Sequence, residues 1–250
     1  MLNHKIYGQG DPIVILHGLF GMLDNWQTVA KKLAENYMVI LVDQRDHGKS
    51  KHTEEFNYQV LAEDLNEFLE ENWIHSSHII GHSMGGKTAM QFAVNHPDMI
   101  KKLIIVDIGP KAYLPGHDII FKALLEVPID EVQSRQEVDD IISKYIEDAG
   151  VRLFLMKNLK RKKEGGFIWK MNLELLNKEY SNIIAAVEST EPIDVDTLFI
   201  YGSKSHYIKA EDIESIKSIF PESKFEKLDA GHWIHAEKPD EFVDLIKGFF

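Results

Sequence analysis

Short apolar runs rich in β-branched residues alternate along this chain with longer segments of helical spacing. The runs are too short for helices and lack polar alternation, which is typical of parallel strands buried on both faces. They are Ile13–Leu16, Met38–Val42, His78–Ile80, Leu103–Asp107 and Leu198–Tyr201. The segments of helical spacing are Asn25–Glu35, Tyr58–Asn72, Met84–Asn95, Glu211–Phe220 and Glu241–Phe250. Strands that alternate with helices imply right-handed crossovers, so we predict an α/β fold with a doubly wound, mostly parallel sheet.

The alternation stops between Lys111 and about Asp194. This stretch is amphipathic and charged, and proline and glycine mark its ends. We predict that it forms short helices and no strand, the helices being Leu124–Ile129, Val138–Ile146, Val151–Leu159 and Trp169–Leu176. The predicted organisation is a single α/β core, residues 1–110 and 194–250, with residues 111–193 inserted between two strands as a helical cap.

The composition narrows the range of partners. Of 250 residues, 40 are acidic and 28 are basic, which gives a net charge of −12. Such a surface repels phosphate backbones and anionic lipid, so we expect a small-molecule substrate and neither nucleic acid nor a membrane as partner. The chain has no cysteine, which excludes disulfides, thiolate metal sites and cysteine nucleophiles. No apolar stretch approaches ~18 residues and the first residues resemble no signal peptide, so we expect a cytoplasmic monomer or small homo-oligomer.

Residues 81–85 (GHSMG) follow the apolar run His78–Ile80 and open a helical pattern. This is the G-x-S-x-G arrangement in the strand–turn–helix context that the motif requires. The turn strains the serine backbone, and the two glycines let neighbouring backbone pass. The hydroxyl of Ser83 then lies at a helix N-terminus, where negative charge is favoured. We predict Ser83 as a nucleophile; the alternative is a tight glycine-rich turn with an incidental serine.

A serine hydroxyl is a weak nucleophile until a base takes its proton. We predict His232 as that base, because residues 229–233 (DAGHW) directly follow the alternating stretch Lys224–Leu228 near the end of the chain. His206 and His235 are the competitors. His206 follows an earlier strand, however, and His235 falls inside the next turn.

An oxyanion that forms during attack on a carbonyl needs at least two fixed N–H donors. The amide of Met84, the residue after the nucleophile, is one candidate. The second is the amide of Leu19, in the loop of residues 17–21 (HGLFG), where two glycines allow unusual backbone angles. We predict that His17 fixes this loop and is not the base.

Four segments together resemble the α/β-hydrolase superfamily, over nearly the whole chain and in the right order: residues 17–18 (HG), 43–50 (DQRDHGKS), 81–86 (GHSMGG) and 231–233 (GHW). A narrower set is similar to the small bacterial YbfF-type acyl esterases: residues 19–21 (LFG), 86–87 (GK), 106–110 (VDIGP) and 232–239 (HWIHAEKP). The resemblance implies an eight-stranded, mostly parallel sheet, a helical cap after the sixth strand and a Ser–His–acid triad. It also implies hydrolysis of carboxylic esters and thioesters, acyl-CoA among them.

The acid of the triad departs from the common pattern of the superfamily, whose members carry it just after the seventh strand, here Leu198–Tyr201. Residues 202–210 (GSKSHYIKA) contain neither Asp nor Glu, and Ser205 stands about where the acid would be. A triad without a carboxylate loses the group that orients the histidine.

Asp107 is the predicted substitute, at the end of the run Leu103–Val106. The resemblance sets this sixth strand beside the strand of the nucleophile, so Asp107 can approach His232, and YbfF-type esterases have their acid after strand six. A turn residue that caps the strand end is the structural alternative for Asp107, and Asp229 is the fallback acid.

Other charged or polar clusters receive structural interpretations. We expect Asp43, Arg45 and Asp46 to support loops, as this stretch does in the superfamily, although a paired-carboxylate site can be imagined there. The basic run of residues 157–163 is predicted to be a solvated face of the cap, the alternative being that it steers an anionic substrate. The histidines are scattered without zinc-site spacing, so we predict no metal and no cofactor.

The predicted reaction is acyl transfer to water through an acyl-enzyme. We expect apolar side chains to line the acyl pocket, the candidates being Phe20, Met84, Phe121, Phe154 and Met156. Another serine hydrolase of the same fold remains open, such as a carbon–carbon bond hydrolase, a lyase or a perhydrolase. A non-catalytic binding protein is the alternative from a different class.

Overall fold

The computed structural model describes residues 2–250 and contains a large sheet and a small one. Its strands are β1 (His4–Tyr7), β2 (Asp11–Leu16), β3 (Tyr37–Val42), β4 (Ser77–His82), β5 (Ile100–Val106), β6 (Leu159–Arg161), β7 (Phe167–Trp169), β8 (Thr197–Gly202) and β9 (Lys224–Leu228). The large sheet has seven strands in the order β1-β3-β2-β4-β5-β8-β9. All adjacent strands of this sheet pair in parallel except the edge strand β1, which pairs antiparallel with β3. The predicted doubly wound, mostly parallel α/β sheet is confirmed.

Helices cover both faces of the large sheet. In chain order the α-helices of the described residues are α1 (Gln27–Leu33), α2 (Tyr58–Glu71), α3 (Met84–Asn95), α4 (Asp118–Leu125), α5 (Arg135–Ile142), α6 (Ala149–Met156), α7 (Leu173–Lys178), α8 (Tyr180–Ile183), α9 (Ile213–Ile219), α10 (Ile234–Glu237) and α11 (Pro239–Phe249). Residues of α1 and α11 form one buried cluster with the sheet, and residues of α2, α3 and α9 form the other. Within residues 2–250 no helix has the length and apolarity needed to cross a membrane.

The central strands are apolar without interruption because successive side chains enter opposite cores. In β2, Ile13 and Ile15 pack with α1 and α11, whereas Val14 and Leu16 pack with α2 and α3. Side chains on a strand alternate between its faces, so a strand buried on both faces shows no polar alternation. The apolar runs of the sequence are therefore explained by helices on both sides of the sheet.

The strand count implied by the resemblance is wrong by one. The large sheet has seven strands where eight were expected, and the insertion follows the fifth strand, β5, where the sixth was expected. Within the described residues a single strand, β1, precedes β2, so every later strand stands one place earlier than expected. The strand β1 (HKIY) has no apolar run because it lies at the edge of the sheet and its two central residues are exposed.

The prediction of no strand in residues 111–193 is also wrong. Strands β6 and β7 form an antiparallel hairpin in which Leu159 pairs with Trp169, and Gly165 and Gly166 adopt positive φ in the turn. The last predicted helix therefore starts too early, since α7 begins at Leu173. Three-residue strands are too short to show a period, which is why the sequence pattern misses them. The division into a core and a cap stays a prediction.

The two ends of the inserted segment lie side by side. The amide of Val187 donates a hydrogen bond to the carbonyl of Pro110 at 2.8 Å, and the amide of Tyr113 donates one to the carbonyl of Ile184 at 2.9 Å. The chain thus leaves the sheet after β5 and returns toward β8 through two segments that bond to each other.

Candidate active site

Ser83 lies on a strained turn between β4 and α3. Its φ of 52° and ψ of −119° are unusual for a residue with a side chain. A Cβ on Gly81 would stand 2.3 Å from the carbonyl oxygen of Gly85, and a Cβ on Gly85 would stand 2.4 Å from that of Leu16. The turn therefore requires glycine at both positions, and its packing holds the serine in the strained conformation.

The loop after β2 is fixed by two buried histidines. The Nε2 atom of His17 accepts a hydrogen bond from the amide of Gln44 at 3.1 Å, and that of His47 accepts one from the amide of Phe20 at 3.3 Å. Burial lowers the pKa of His17 to about 4 and that of His47 to about 3, so both rings are neutral near pH 7 and can accept these bonds. These contacts agree with the predicted role of His17 in holding the loop.

The amides of Leu19 and Met84 are free to bind an acceptor beside Ser83. Among residues 2–250, neither amide donates a hydrogen bond to another group of the chain. Met84 is the first residue of α3, and the first amides of a helix have no partner within it. Leu19, Ser83 and Met84 line the same cavity. Two amides without a partner in the described chain thus belong to residues that border the cavity at Ser83, and their role as oxyanion donors stays a prediction.

His232 and Asp107 form a hydrogen-bonded pair. The Nδ1 atom of the histidine is 2.7 Å from Oδ2 of the carboxylate, which has no exposed surface. An ionised carboxylate only accepts, so Nδ1 carries the hydrogen and Nε2 keeps a lone pair. The amide of Gly202 donates to Oδ1 at 3.0 Å, and the hydroxyl of Ser205 donates to Oδ2. The carboxylate therefore has three donors, and the residue at the position of the missing acid is one of them.

Two aromatic side chains hold the loop and ring of His232. The Nε2 atom of His82 donates a hydrogen bond to the main-chain carbonyl of His232 at 2.9 Å. Burial first, and the neighbouring His232 second, hold the pKa of His82 well below its usual value. The ring of Tyr207 stacks on that of His232, with centroids 4.3 Å apart. The sequence patterns single out neither contact.

The competing candidates make other contacts, although His235 lines the same cavity as Ser83 and His232, and His206 lines the second cavity at Ser83. His235 is buried and stacks on Trp26 at 4.0 Å, and burial lowers its pKa to about 3. His206 is exposed. Asp229 is exposed as well and pairs with Lys204 at 3.0 Å. Neither of the two histidines forms a hydrogen bond with Asp107, and Asp229 forms none with His232.

Two cavities meet at Ser83. The first, which we call the apolar cavity, has a volume of about 230 Å³ and includes Phe20, Phe154 and His232 in its lining. The second, which we call the lysine cavity, has a volume of about 400 Å³ and includes Met84 and Lys87. Of the five expected apolar lining residues, Phe20, Met84 and Phe154 thus border a cavity. The other two, Phe121 and Met156, are buried in the hydrophobic core.

The acidic cluster after β3 supports loops through its contacts. The carboxylate of Asp43 accepts hydrogen bonds from the amides of Leu23 at 2.7 Å and Lys49 at 2.9 Å. Arg45 forms a bidentate pair with Asp64 at 2.6 and 2.7 Å. These side chains are engaged by the chain itself, as their structural interpretation predicts.

Comparison with known proteins identifies the family. The family model described as alpha/beta hydrolase fold matches residues 11–140. The solved structure of a marine microorganism esterase is 41% identical, with a TM-score of 0.98, and the match covers 100% of this chain and 99% of that one. The chain belongs to the α/β-hydrolase family.

Curated relatives carry matching names. The esterase YbfF of Escherichia coli is 36% identical over 95% of this chain and 92% of its own length. The mouse sn-1-specific diacylglycerol lipase ABHD11 is 35% identical over 95% of this chain and 80% of its own length. The predicted resemblance to YbfF-type esterases is confirmed, and these matches support the predicted reaction class, a carboxylic ester hydrolase.

Proposed function

We propose that this protein is a serine carboxylesterase or acyl thioesterase that hydrolyses small to medium acyl esters through Ser83, His232 and Asp107. The observation that carries the proposal is the 2.7 Å contact between Nδ1 of His232 and the buried Asp107 carboxylate. It leaves Nε2 of the histidine as an acceptor in a cavity that Ser83 also lines. A base held by an orienting carboxylate beside a serine is the arrangement that nucleophilic acyl transfer requires.

The reaction proceeds in two steps. In the first, Nε2 of His232 takes the proton of the Ser83 hydroxyl, whose oxygen attacks the ester carbonyl. The amides of Leu19 and Met84 bind the oxyanion, and the imidazolium protonates the leaving alcohol or thiol. In the second step the same histidine activates water, which attacks the acyl-enzyme and releases the acid. Asp107 holds the histidine tautomer and stabilises the imidazolium throughout.

The apolar cavity suits the acyl chain. Its lining includes the side chains of Phe20, Trp26, Ile120 and Phe154. A bound acyl chain is stabilised because its methylene groups leave water and contact these side chains. Its volume of about 230 Å³ accommodates a short to medium chain. The name of the mouse relative adds glycerol esters to the substrates worth testing.

The test is hydrolysis of p-nitrophenyl esters of increasing acyl length by the wild type and by Ser83→Ala. We expect the variant to lose at least three orders of magnitude in kcat/KM, and the wild type to react with a fluorophosphonate probe that the variant ignores. Retention of more than a few per cent of activity by Ser83→Ala would exclude it as the nucleophile. A wild type that neither cleaves esters nor reacts with the probe would favour a binding protein. Probe labelling without ester cleavage would favour another serine hydrolase, such as a carbon–carbon bond hydrolase.

A further inference from the structure

The ammonium group of Lys87 is buried in the protein next to the candidate nucleophile. The residue is 1% exposed, and its backbone amide donates to the carbonyl of Ser83 at 3.1 Å, one helical turn away. Its Nζ atom donates to the carbonyl of Lys111 at 2.7 Å and to that of Ala185. An ammonium group has three N–H donors. One donor of Lys87 therefore remains for a further acceptor.

No carboxylate of the chain neutralises this charge. Among residues 2–250, Lys87 is in none of the ion pairs with Asp or Glu. Two tyrosine rings lie near Nζ, with the centroid of Tyr113 at 5.1 Å and that of Tyr58 at 5.7 Å. Ring faces attract a cation but do not cancel its charge. A buried charge without a counter-ion is costly, and burial lowers the pKa of Lys87 to about 7. An anion supplied from outside would therefore stabilise the charged form of this side chain.

The lysine cavity presents this charge to a bound molecule. Both Ser83 and Lys87 line it, and within the described chain its lining contains neither Asp nor Glu. Lys111 also lines the cavity, but its charge is taken by Asp212, whose two oxygens lie at 2.6 and 2.7 Å. Lys209 lies at the edge and is exposed. On a protein of net charge −12, this cavity is a local cationic site.

We propose that Lys87 binds a carboxylate carried by the substrate, so that the preferred esters are monoanions with the carboxylate a short chain from the scissile bond. This inference rests on the proposed function, since Ser83 must attack that bond. Ser83 and Lys87 line the same cavity of about 400 Å³, so a molecule that places a carboxylate at one and an ester at the other must be small. One cation with one remaining donor matches a carboxylate better than a phosphate dianion, which calls for several donors.

A purely structural role for Lys87 makes a different prediction. Its two carbonyl partners, Lys111 and Ala185, belong to the two ends of the inserted segment, so the side chain also ties these ends to α3. If this is its whole role, replacement of Lys87 harms the hydrolysis of neutral and anionic esters by the same factor. The ratio of the two activities therefore separates the roles.

The experiment compares monomethyl glutarate with methyl pentanoate, a neutral ester of the same chain length. A second pair, the acetyl ester of 4-hydroxybutyrate and butyl acetate, carries the charge on the alcohol side. We expect the wild type to prefer the anion at least tenfold in kcat/KM in one pair, and Lys87→Met to lose that preference. Lys144→Met, which removes an exposed charge, should keep it. The pair that shows the effect identifies the side of the ester on which the carboxylate lies.

Equal kcat/KM for anion and neutral ester in both wild-type pairs, with hydrolysis intact, would overturn the inference and leave the proposed function standing. A ratio of anionic to neutral kcat/KM that is the same in Lys87→Met as in the wild type would also overturn the inference. Failure to cleave any ester would overturn both. If Lys87→Met does not fold, the carboxylate site is tested instead by comparing inhibition of the wild type by glutarate and by neutral glutaramide. We expect glutarate to inhibit at least tenfold more strongly, and equal inhibition would count against the carboxylate site.

Discussion

The imidazole of His82 donates a hydrogen bond from Nε2 to the main-chain carbonyl of His232 at 2.9 Å, and the two ring centroids are 4.6 Å apart. The residue before the candidate nucleophile thus holds the backbone of the candidate base. A carbonyl can only accept, so Nε2 of His82 carries the hydrogen, and burial keeps this ring neutral. We therefore predict that His82 is a positioning residue whose effect on the reaction acts through His232.

Replacement of His82 should lower the turnover number more than substrate binding. We expect His82→Phe to reduce kcat about 10- to 100-fold with KM changed less than twofold, because a displaced base weakens the chemical step. His82→Gln retains an N–H donor and should recover most of the loss. Steady-state kinetics with one p-nitrophenyl ester measure both constants. Equal kcat for His82→Phe and wild type, with only a lower Tm, would mean that the contact is structural alone.

Asp107 and Ser205 should differ sharply in their effect on activity. Asp107→Asn leaves an amide that can donate to Nδ1 and favour the wrong tautomer of His232, so we expect kcat to fall by about three to four orders of magnitude. Ser205→Ala removes one of three donors to the carboxylate, and we expect a loss of less than about tenfold. Ester hydrolysis and circular dichroism of both variants provide the measurement. A nearly silent Asp107→Asn would mean that the acid lies elsewhere or that the enzyme works as a dyad.

Gly85 should tolerate no side chain. A Cβ at this position would stand 2.4 Å from the carbonyl oxygen of Leu16, so we expect Gly85→Ala to distort the turn and to abolish labelling of Ser83 by a fluorophosphonate. Gly248 offers a matched control in α11, because nothing lies within 4 Å of its added Cβ. Gly248→Ala should be labelled normally and gain up to about 1 kcal/mol in unfolding free energy. Normal labelling of Gly85→Ala would contradict the steric argument.

The buried histidines should make the protein less stable as the pH falls below about 6.5. Burial lowers the folded-state pKa of His17 to about 4 and that of His47 to about 3, whereas the unfolded chain binds these protons near pH 6.5. Below that pH the unfolded state binds more protons, so the free energy of unfolding decreases, by up to about 1.4 kcal/mol per pH unit for each histidine.

Urea unfolding at pH 7, 6 and 5 measures this slope. The variant His47→Gln has no group at that position that titrates in the range, so its slope should be shallower than that of the wild type. A free energy of unfolding that stays constant from pH 7 to pH 5 would show that these rings are not held neutral in the folded protein.

The sequence predicts the centre of this fold better than its edges. The strand β2 is apolar throughout because both of its faces are buried, and such a run stands out from its surroundings. The strand β1 has one neighbour and is half exposed, so its residues show no apolar run. The hairpin of β6 and β7 has strands of three residues, and its one local signal is the pair Gly165 and Gly166 in the turn.

The same contrast holds in the candidate site. Ser83 lies in a local motif because its turn imposes glycine at fixed positions, and local constraints are visible in a sequence. The contact of His82 is made to a main-chain carbonyl, which places no demand on the residue type of its partner. Residues 86–87 contribute to the family resemblance, but only tertiary contacts reveal that Lys87 is buried. Long-range contacts to backbone atoms are therefore the part of the site that sequence patterns miss.

The paired hydrogen bonds that join Pro110 to Val187 and Tyr113 to Ile184 have an evolutionary consequence. Because the chain departs and returns at one point, the intervening stretch can be lengthened, shortened or replaced without moving the strands on either side. Residues of that stretch line both cavities, so we expect mutations there to change substrate preference, whereas the predicted triad lies outside it. Related proteins with this architecture can therefore evolve new substrate preferences while they keep the same reaction.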